Sequence, residues 1–535
     1  MQRHFVRTAI ALLLASGLSS MAATVPAGTQ LAAKQELTRN NGSEPDTLDP
    51  ALAQGAPANN VLRDLFEGLT AIDSAGKVVP GVAESWKQTN ATTWVFKLRR
   101  DAKWSNGDAL NADDFIYALQ RFVDPKTASE YAASFGIFLL NGKEIVGGKM
   151  PPSALGVKAQ DKFTLEIQTP YPVSFLPELV SNTQLGPVHR ATLEKFGKEW
   201  TKPANMVNNG AFVMQDWQVN SKIVLAKNPR YWDAKNVQIS KNTYLSVDDS
   251  NADVKLFESG ENDWVNQLPP GSFEKYKAQY PKEIRNTPML GLRYYSLNVA
   301  DPLLKDLRVR KALSMVIDRD TLAQKVTADG QLPAYGVIVK GTIGANVTRY
   351  DWALWPMEKR VAEAKQLLAQ AGVQPGTKVK FAYNTDVYHK KMAIFAASEW
   401  KTKLGIDTEL EAMEFKVLIK RRTDGEFQIA RNGWIADYND ATTFLTLVQC
   451  DSEQNHQRNC NRKAEALIDQ GNRSTDQSKR QALLTEASKM IMEDYPMIPL
   501  LQYTVPRLVK AYVGGYTDTN IMDRYRAKDL YIIQH

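Results

Sequence analysis

The side chains able to do chemistry are few and scattered. The five histidines, His4, His189, His389, His456 and His535, each stand apart from any other His or Cys at ligand spacing, so no zinc-type site is spelled out. His-Glu-x-x-His, Gly-x-Ser-x-Gly, Gly-x-x-x-x-Gly-Lys and Gly-x-Gly-x-x-Gly are all missing. That leaves no signature for metalloprotease, serine-hydrolase, nucleotide or dinucleotide chemistry. A pair of carboxylates, as in glycosidases, could be drawn from the 59 acids, but any chain with so many offers such pairs and only geometry selects one. The two cysteines, Cys450 and Cys460, lie close together. With no flanking His and no second Cys pair, a local disulfide is expected ahead of a metal pair if the chain reaches an oxidising compartment. A protein without cofactor, metal or catalytic activity is expected.

Export is written at the start of the chain. Arg3 and Arg7 precede the apolar run Thr8–Ala15, and small residues stand at Ser20 and Ala22. This is the pattern of a secretory signal peptide over 1–22, cleaved after Ala22. No later segment approaches 18 uninterrupted apolar residues, so a soluble exported protein is expected. No Cys stands at the cleavage site to carry a lipid anchor. The formal charge of +7 comes from basic residues spread along the chain rather than clustered, which argues against a nucleic-acid partner. At 535 residues, with 43% hydrophobic and 23% charged, the chain is too long for one core and too apolar for disorder. Its 11 Trp and 20 Tyr supply flat rings with polar tips, which serve a large core and a binding cleft equally well.

The elements that must position any site alternate between strand and helix. Trp94–Arg99 alternates apolar residues with others and leads to the turn dipeptide Asn106-Gly107, so a strand is predicted there. Asn111 precedes Asp113, Asp114, Phe115, Leu119 and Phe122, which predicts a capped helix closed by Asp124-Pro125. Val309, Leu313, Val316 and Ile317 share one face of a helix over 308–318. Leu483, Leu484, Ala487 and Ile491 do the same over 480–493, where Tyr495-Pro496 ends it. Two further strands are predicted, at 498–503 and 506–510. Mixed elements throughout indicate an α/β or α+β chain of several lobes.

Several stretches together resemble the peptide-binding class of periplasmic solute-binding proteins that feed ABC importers. They are Asn41-Gly-Ser-Glu-Pro-Asp-Thr-Leu-Asp-Pro50, Arg63-Asp-Leu-Phe-Glu-Gly-Leu69, Pro80-Gly-Val-Ala-Glu-Ser-Trp86 and Leu98-Arg-Arg-Asp-Ala-Lys-Trp-Ser-Asn-Gly107. Further on come Asn209-Gly-Ala-Phe212, the Arg308 helix, Tyr383-Asn-Thr-Asp-Val-Tyr-His-Lys-Lys391, Gly433-Trp-Ile-Ala-Asp-Tyr-Asn439 and Leu530-Tyr-Ile-Ile-Gln-His535. The resemblance implies an α/β fold of two lobes and three domains. Domain I would use 23–66, 190–290 and 505–535, domain II 67–189 and domain III 291–504, with a hinge at the crossings near 290 and 504. It also implies a periplasmic monomer that binds peptides of about two to five residues and hands them to the permease and ATPase subunits of an inner-membrane importer. Murein tripeptide competes with ordinary peptides as the ligand, and an exported hydrolase using the same cleft is the alternative from another class.

The resemblance assigns residues as well. Asp437 matches the acid that takes the peptide ammonium; without the resemblance it reads as a surface turn acid. The backbones of Gly433, Trp434 and Ile435 on one side and of Gln54, Gly55 and Ala56 on the other would pair with the peptide as added strands. Tyr131, Trp434, Phe415 and Tyr294 match positions lining side-chain pockets, where core packing is the competing reading. Arg431 and His389 match cations for the carboxylates of peptides of different length, and Arg422 matches another cation at the cleft. Some positions depart from the pattern. Thr327 stands where some members have a carboxylate-binding lysine, which favours tripeptides over tetrapeptides unless a neighbour such as Lys325 substitutes. Phe415 replaces a usual tryptophan, and Gly291 and Ile435 replace a disulfide pair.

Overall fold

Alternating apolar residues build three larger sheets in the computed structural model, which describes residues 24–535; the expected signal peptide and its cleavage site lie outside them. In the first sheet Glu36–Asn40 runs parallel to Lys241–Leu245, followed antiparallel by Lys222–Lys227 and Phe212–Gln218. The second joins Ala83–Asn90, Thr93–Leu98, Thr164–Gln168 and Val157–Asp161, all antiparallel. The third has six strands in the order Leu332–Pro333, Met497–Leu508, Ile284–Leu297, Ile429–Ile435, Lys378–Asn384 and Asp407–Met413. Its last three are parallel to one another, and the helix Val387–Leu404 makes one of the crossovers.

The helices follow their local signals. Asn111 caps Ala112–Val123 with a full capping box: its side chain accepts from the Asp113 N–H while Asp114 accepts from the Asn111 N–H. The predicted 308–318 helix is Leu307–Met315, capped by Asp306, and Val316 and Ile317 are buried just past its end. Gln477–Glu493 covers the predicted 480–493 helix. The two strands predicted near the C-terminus are one, Met497–Leu508, because Pro506 lies within the pairing to Asn286 and its carbonyl accepts from the Leu268 N–H. A proline removes one donor from a strand without ending it where no partner needs that donor.

Two main cores result. Leu37, Phe96, Phe115, Trp200, Tyr244 and Leu530 belong to one, and Leu292, Phe381, Trp400, Leu484 and Leu501 to the other. The first therefore draws on both ends of the described chain. The long antiparallel strands Ile284–Leu297 and Met497–Leu508 run from one body to the other, and their register slips between Pro288 and Leu292. Cys450 and Cys460 are bonded, with Cα atoms 4.6 Å apart.

Candidate functional site

The site is built on Ile429–Ile435, here the cleft strand. One edge pairs with Ile284–Leu297 over its whole length; the other pairs with Lys378–Asn384 only at Ile429 and Ala430. The Ala436 N–H donates to the Leu290 carbonyl, and antiparallel alternation therefore turns the backbone groups of Gly433 and Ile435 toward the unpaired edge. The Gly433 N–H already donates to Asn432 Oδ1, which leaves its carbonyl and both groups of Ile435 open there. Ile435 is 52% exposed, and Trp434 is anchored by its Nε1–H to Thr443. Gly433 and Gly291 are glycines for reasons of contact: a Cβ would sit 2.5 Å from Tyr503 Oη at the first and 2.8 Å from Tyr503 Cδ2 at the second. Gly291 lies directly opposite Ile435, the geometry a cross-strand cysteine pair would need, and here the Tyr503 ring occupies that space.

Just past the cleft strand, Asp437 opens into a recess of about 390 Å³, counting its solvent-filled mouth, between the two bodies. Tyr131, Asn59, Arg63, Gln184 and Arg524 also line it. The Asp437 carboxylate has no hydrogen-bond partner among the described residues. Burial raises its pKa, opposed by the Arg524 charge, and burial followed by the Asp437 charge raises that of Tyr131. The next residue, Tyr438, leaves its own body and packs into the other core. Its ring stacks on Phe175 at 4.3 Å and meets Phe138 edge-on at 5.6 Å. The buried Glu178 carboxylate accepts the Asn439 N–H beside it.

At the other end of the cleft strand, cations gather. The Arg431 guanidinium lies 5.8 Å from the Phe415 ring centre, with Phe415 itself 45% exposed. Arg293, opposite Gly433 in register, places its guanidinium 4.0 Å from the Tyr503 ring and 4.6 Å from that of Tyr388. His389 meets Tyr388 edge-on at 5.8 Å. Neither Arg293 nor Arg431 forms an ion pair among the described residues, and the Nε of each and Nδ1 of His389 are buried without partners. Burial, then the Arg431 and Arg293 charges, push the His389 pKa down to about 3. The imidazole is therefore neutral at pH 7 with these neighbours alone around it. Arg422 is buried under the strand, bonded to Asn432 and to the Arg431 carbonyl. It adds charge from behind the strand, and its Nε is buried without a partner.

Tyr294 is 1% exposed and packs in the second core, whereas Arg293, on the other face of the same strand, lies opposite Gly433 of the cleft strand. Gln54 is extended, but Gly55 and Ala56 open the helix Gly55–Leu65. They therefore present the exposed donors of a helix start instead of a strand edge. Pro57 in that first turn is the sequence signal for it. Thr327 is buried, its hydroxyl bonded to the Leu322 and Ala323 carbonyls, and it borders Tyr388. Lys325 is exposed. Arg293 is the cation standing beside Thr327's neighbour, and it was missed because no local pattern marks it. Among the described residues no cluster of three or more His, Cys, Asp or Glu could hold a metal, and no helix is long and apolar enough to cross a membrane.

Residues 77–456 match the family model described as bacterial extracellular solute-binding proteins, family 5. The periplasmic oligopeptide-binding protein OppA of Escherichia coli K12 is 42% identical over all of this chain and 99% of its own. The structure of OppA from Burkholderia pseudomallei shares 48% identity at a TM-score of 0.78, covering 94% of this chain and all of that one. The periplasmic murein tripeptide-binding protein MppA, in an unliganded open form, is 38% identical at a TM-score of 0.87, over 95% of this chain and 99% of that one.

Proposed function

The chain belongs to family 5 of the bacterial extracellular solute-binding proteins, and from that premise we propose that it captures short peptides in the periplasm and delivers them to an ABC importer. The observation that carries this is the unpaired edge of the cleft strand, with an unpartnered carboxylate at one end and unpartnered guanidinium groups at the other. An extended peptide is complementary to it: ammonium at Asp437, main chain along Gly433–Ile435, carboxylate among Arg431, Arg293 and His389. Each buried charge then gains a partner, without which burial is costly. Backbone pairing reads no side chains, which suits a receptor of broad specificity. Tyr131, Trp434 and Phe415 border the spaces for side chains, and the helix start at Gly55 and Ala56 offers donors from the opposite wall, the Gln54 N–H being held by Asp46. Arg293 takes the part of the lysine absent at Thr327, so a tetrapeptide carboxylate has a partner after all.

Domain I is 23–66, 190–290 and 505–535, domain II 67–189 and domain III 291–504, in this reading. The register slip between Pro288 and Leu292 supports a hinge there, since a break in the ladder is where two strands bend most easily. Export through a signal peptide cleaved after Ala22, action as a monomer and docking on permease and ATPase subunits complete the proposal. Incubating the protein with a defined mixture of di- to pentapeptides tests it. A receptor binds one peptide per chain and returns every peptide intact, whereas cleavage products would mark an exported peptidase.

A further inference from the structure

The recess beside Asp437 holds more positive charge than a plain ammonium site should. Arg63 reaches it from the helix Gly55–Leu65 and Arg524 from the C-terminal segment. Among the described residues the Arg63 side chain has one hydrogen bond, to Asn60 Oδ1. Arg524 donates from Nη2 to the Asp437 carbonyl at 2.8 Å, and its Nη1 is buried with no partner. Neither forms an ion pair among the described residues. Asp523 is paired with Arg507 and Glu67 with Arg526, while the buried Glu178 carboxylate, which accepts the Asn439 N–H, opposes the Arg524 charge without forming an ion pair with it among the described residues. Burial, then the charge of Arg524, pull the Arg63 pKa down to about 9. Bringing an ammonium to Asp437 adds a third cation to a recess whose open carboxylate is one.

We propose that this recess is a second anion-binding subsite, and that the protein prefers peptides with an acidic side chain in the first two residues, whose carboxylate lies between Arg524 and Arg63 while the ammonium meets Asp437. The inference rests on the peptide-receptor reading. A ligand end carrying both charges balances the recess, and Arg is suited to the bidentate grip on a carboxylate. The aspartyl and glutamyl side chains reach about 3 to 5 Å from their own Cα, so one residue can address both groups.

Calorimetry on the full exported chain with Glu-Ala-Ala, Ala-Glu-Ala, their Gln counterparts and Ala-Ala-Ala tests it. The expected result is that at least one Glu tripeptide binds about tenfold or more tightly than its isosteric Gln partner. That ratio should collapse toward unity in Arg524→Gln and return in part in Arg524→Lys, with melting curves checking that both variants fold. Equal affinity of the Glu and Gln peptides for the wild type, with Ala-Ala-Ala bound, overturns the subsite alone. No binding of any of the five overturns the receptor reading and the subsite with it.

Discussion

Asp437 carries the heaviest assignment of any single residue, because it is the acid that opens into the recess without a partner. Asp437→Asn should weaken peptide binding by about 2 to 5 kcal/mol, the range for removing one partner of a buried charge pair. N-acetylated peptides should lose a similar amount against the wild type; equal titrations with free and acetylated peptides would remove the assignment. His389 and His456 make a second residue-scale prediction. Their pKa values fall from 6.5 to about 3 and about 4, through burial first and then neighbouring arginines. Between those values and 6.5 the unfolded chain binds more protons than the folded one, so stability is full above about pH 6.5 and is lost as pH falls. Allowing for the solvated part of each ring, the two together should cost about 2 kcal/mol between pH 7 and 5. Denaturant midpoints measured with His389→Gln alongside the wild type read this directly, since the variant should lose less on acidification.

Among the elements, the loop between Cys450 and Cys460 gives the simplest prediction. Opening ten residues of closed loop with the double change Cys450→Ser and Cys460→Ser should destabilise by about 2 to 3 kcal/mol, because short loops restrict the unfolded chain only modestly. An unchanged urea midpoint would show that the bond does no such work. That pair was legible from its isolation in the sequence, as was the helix after Asn111, whose cap and apolar spacing are contained in a dozen residues. What stayed illegible had no local signal. Arg524 lies 87 residues from Asp437, and only the fold brings them together. Tyr294 is ambiguous for a different reason, since its type suits a pocket and a core equally and only the packing of the second core buries it. Gln54–Ala56 failed because exposed backbone donors look alike in a strand edge and a helix start until Pro57 is weighed.

At the scale of the whole molecule, the two bodies are joined by the long strands Ile284–Leu297 and Met497–Leu508 and by Tyr438, which lies against Phe175 across the cleft. Closing on a peptide would bring more of both walls together, so a saturating tripeptide should reduce the radius of gyration in X-ray scattering. An unchanged profile at saturation would mean the register slip at Pro288 does not act as a hinge. The general architecture was legible because the motifs recur in order along the entire chain. The gathering of cations in the cleft was not, because the sequence spreads its 66 basic residues evenly and only folding brings Arg293, Arg431, Arg63 and Arg524 to the cleft without an ion pair among the described residues. The central claim is that this cleft is filled by short peptides with free termini. Native mass spectrometry of the protein purified from the periplasm, followed by release and sequencing of whatever is bound, tests it most directly. One intact peptide of two to five residues per chain is the predicted result; an empty cleft that stays empty when peptides are added, or occupation by a non-peptide, would contradict it.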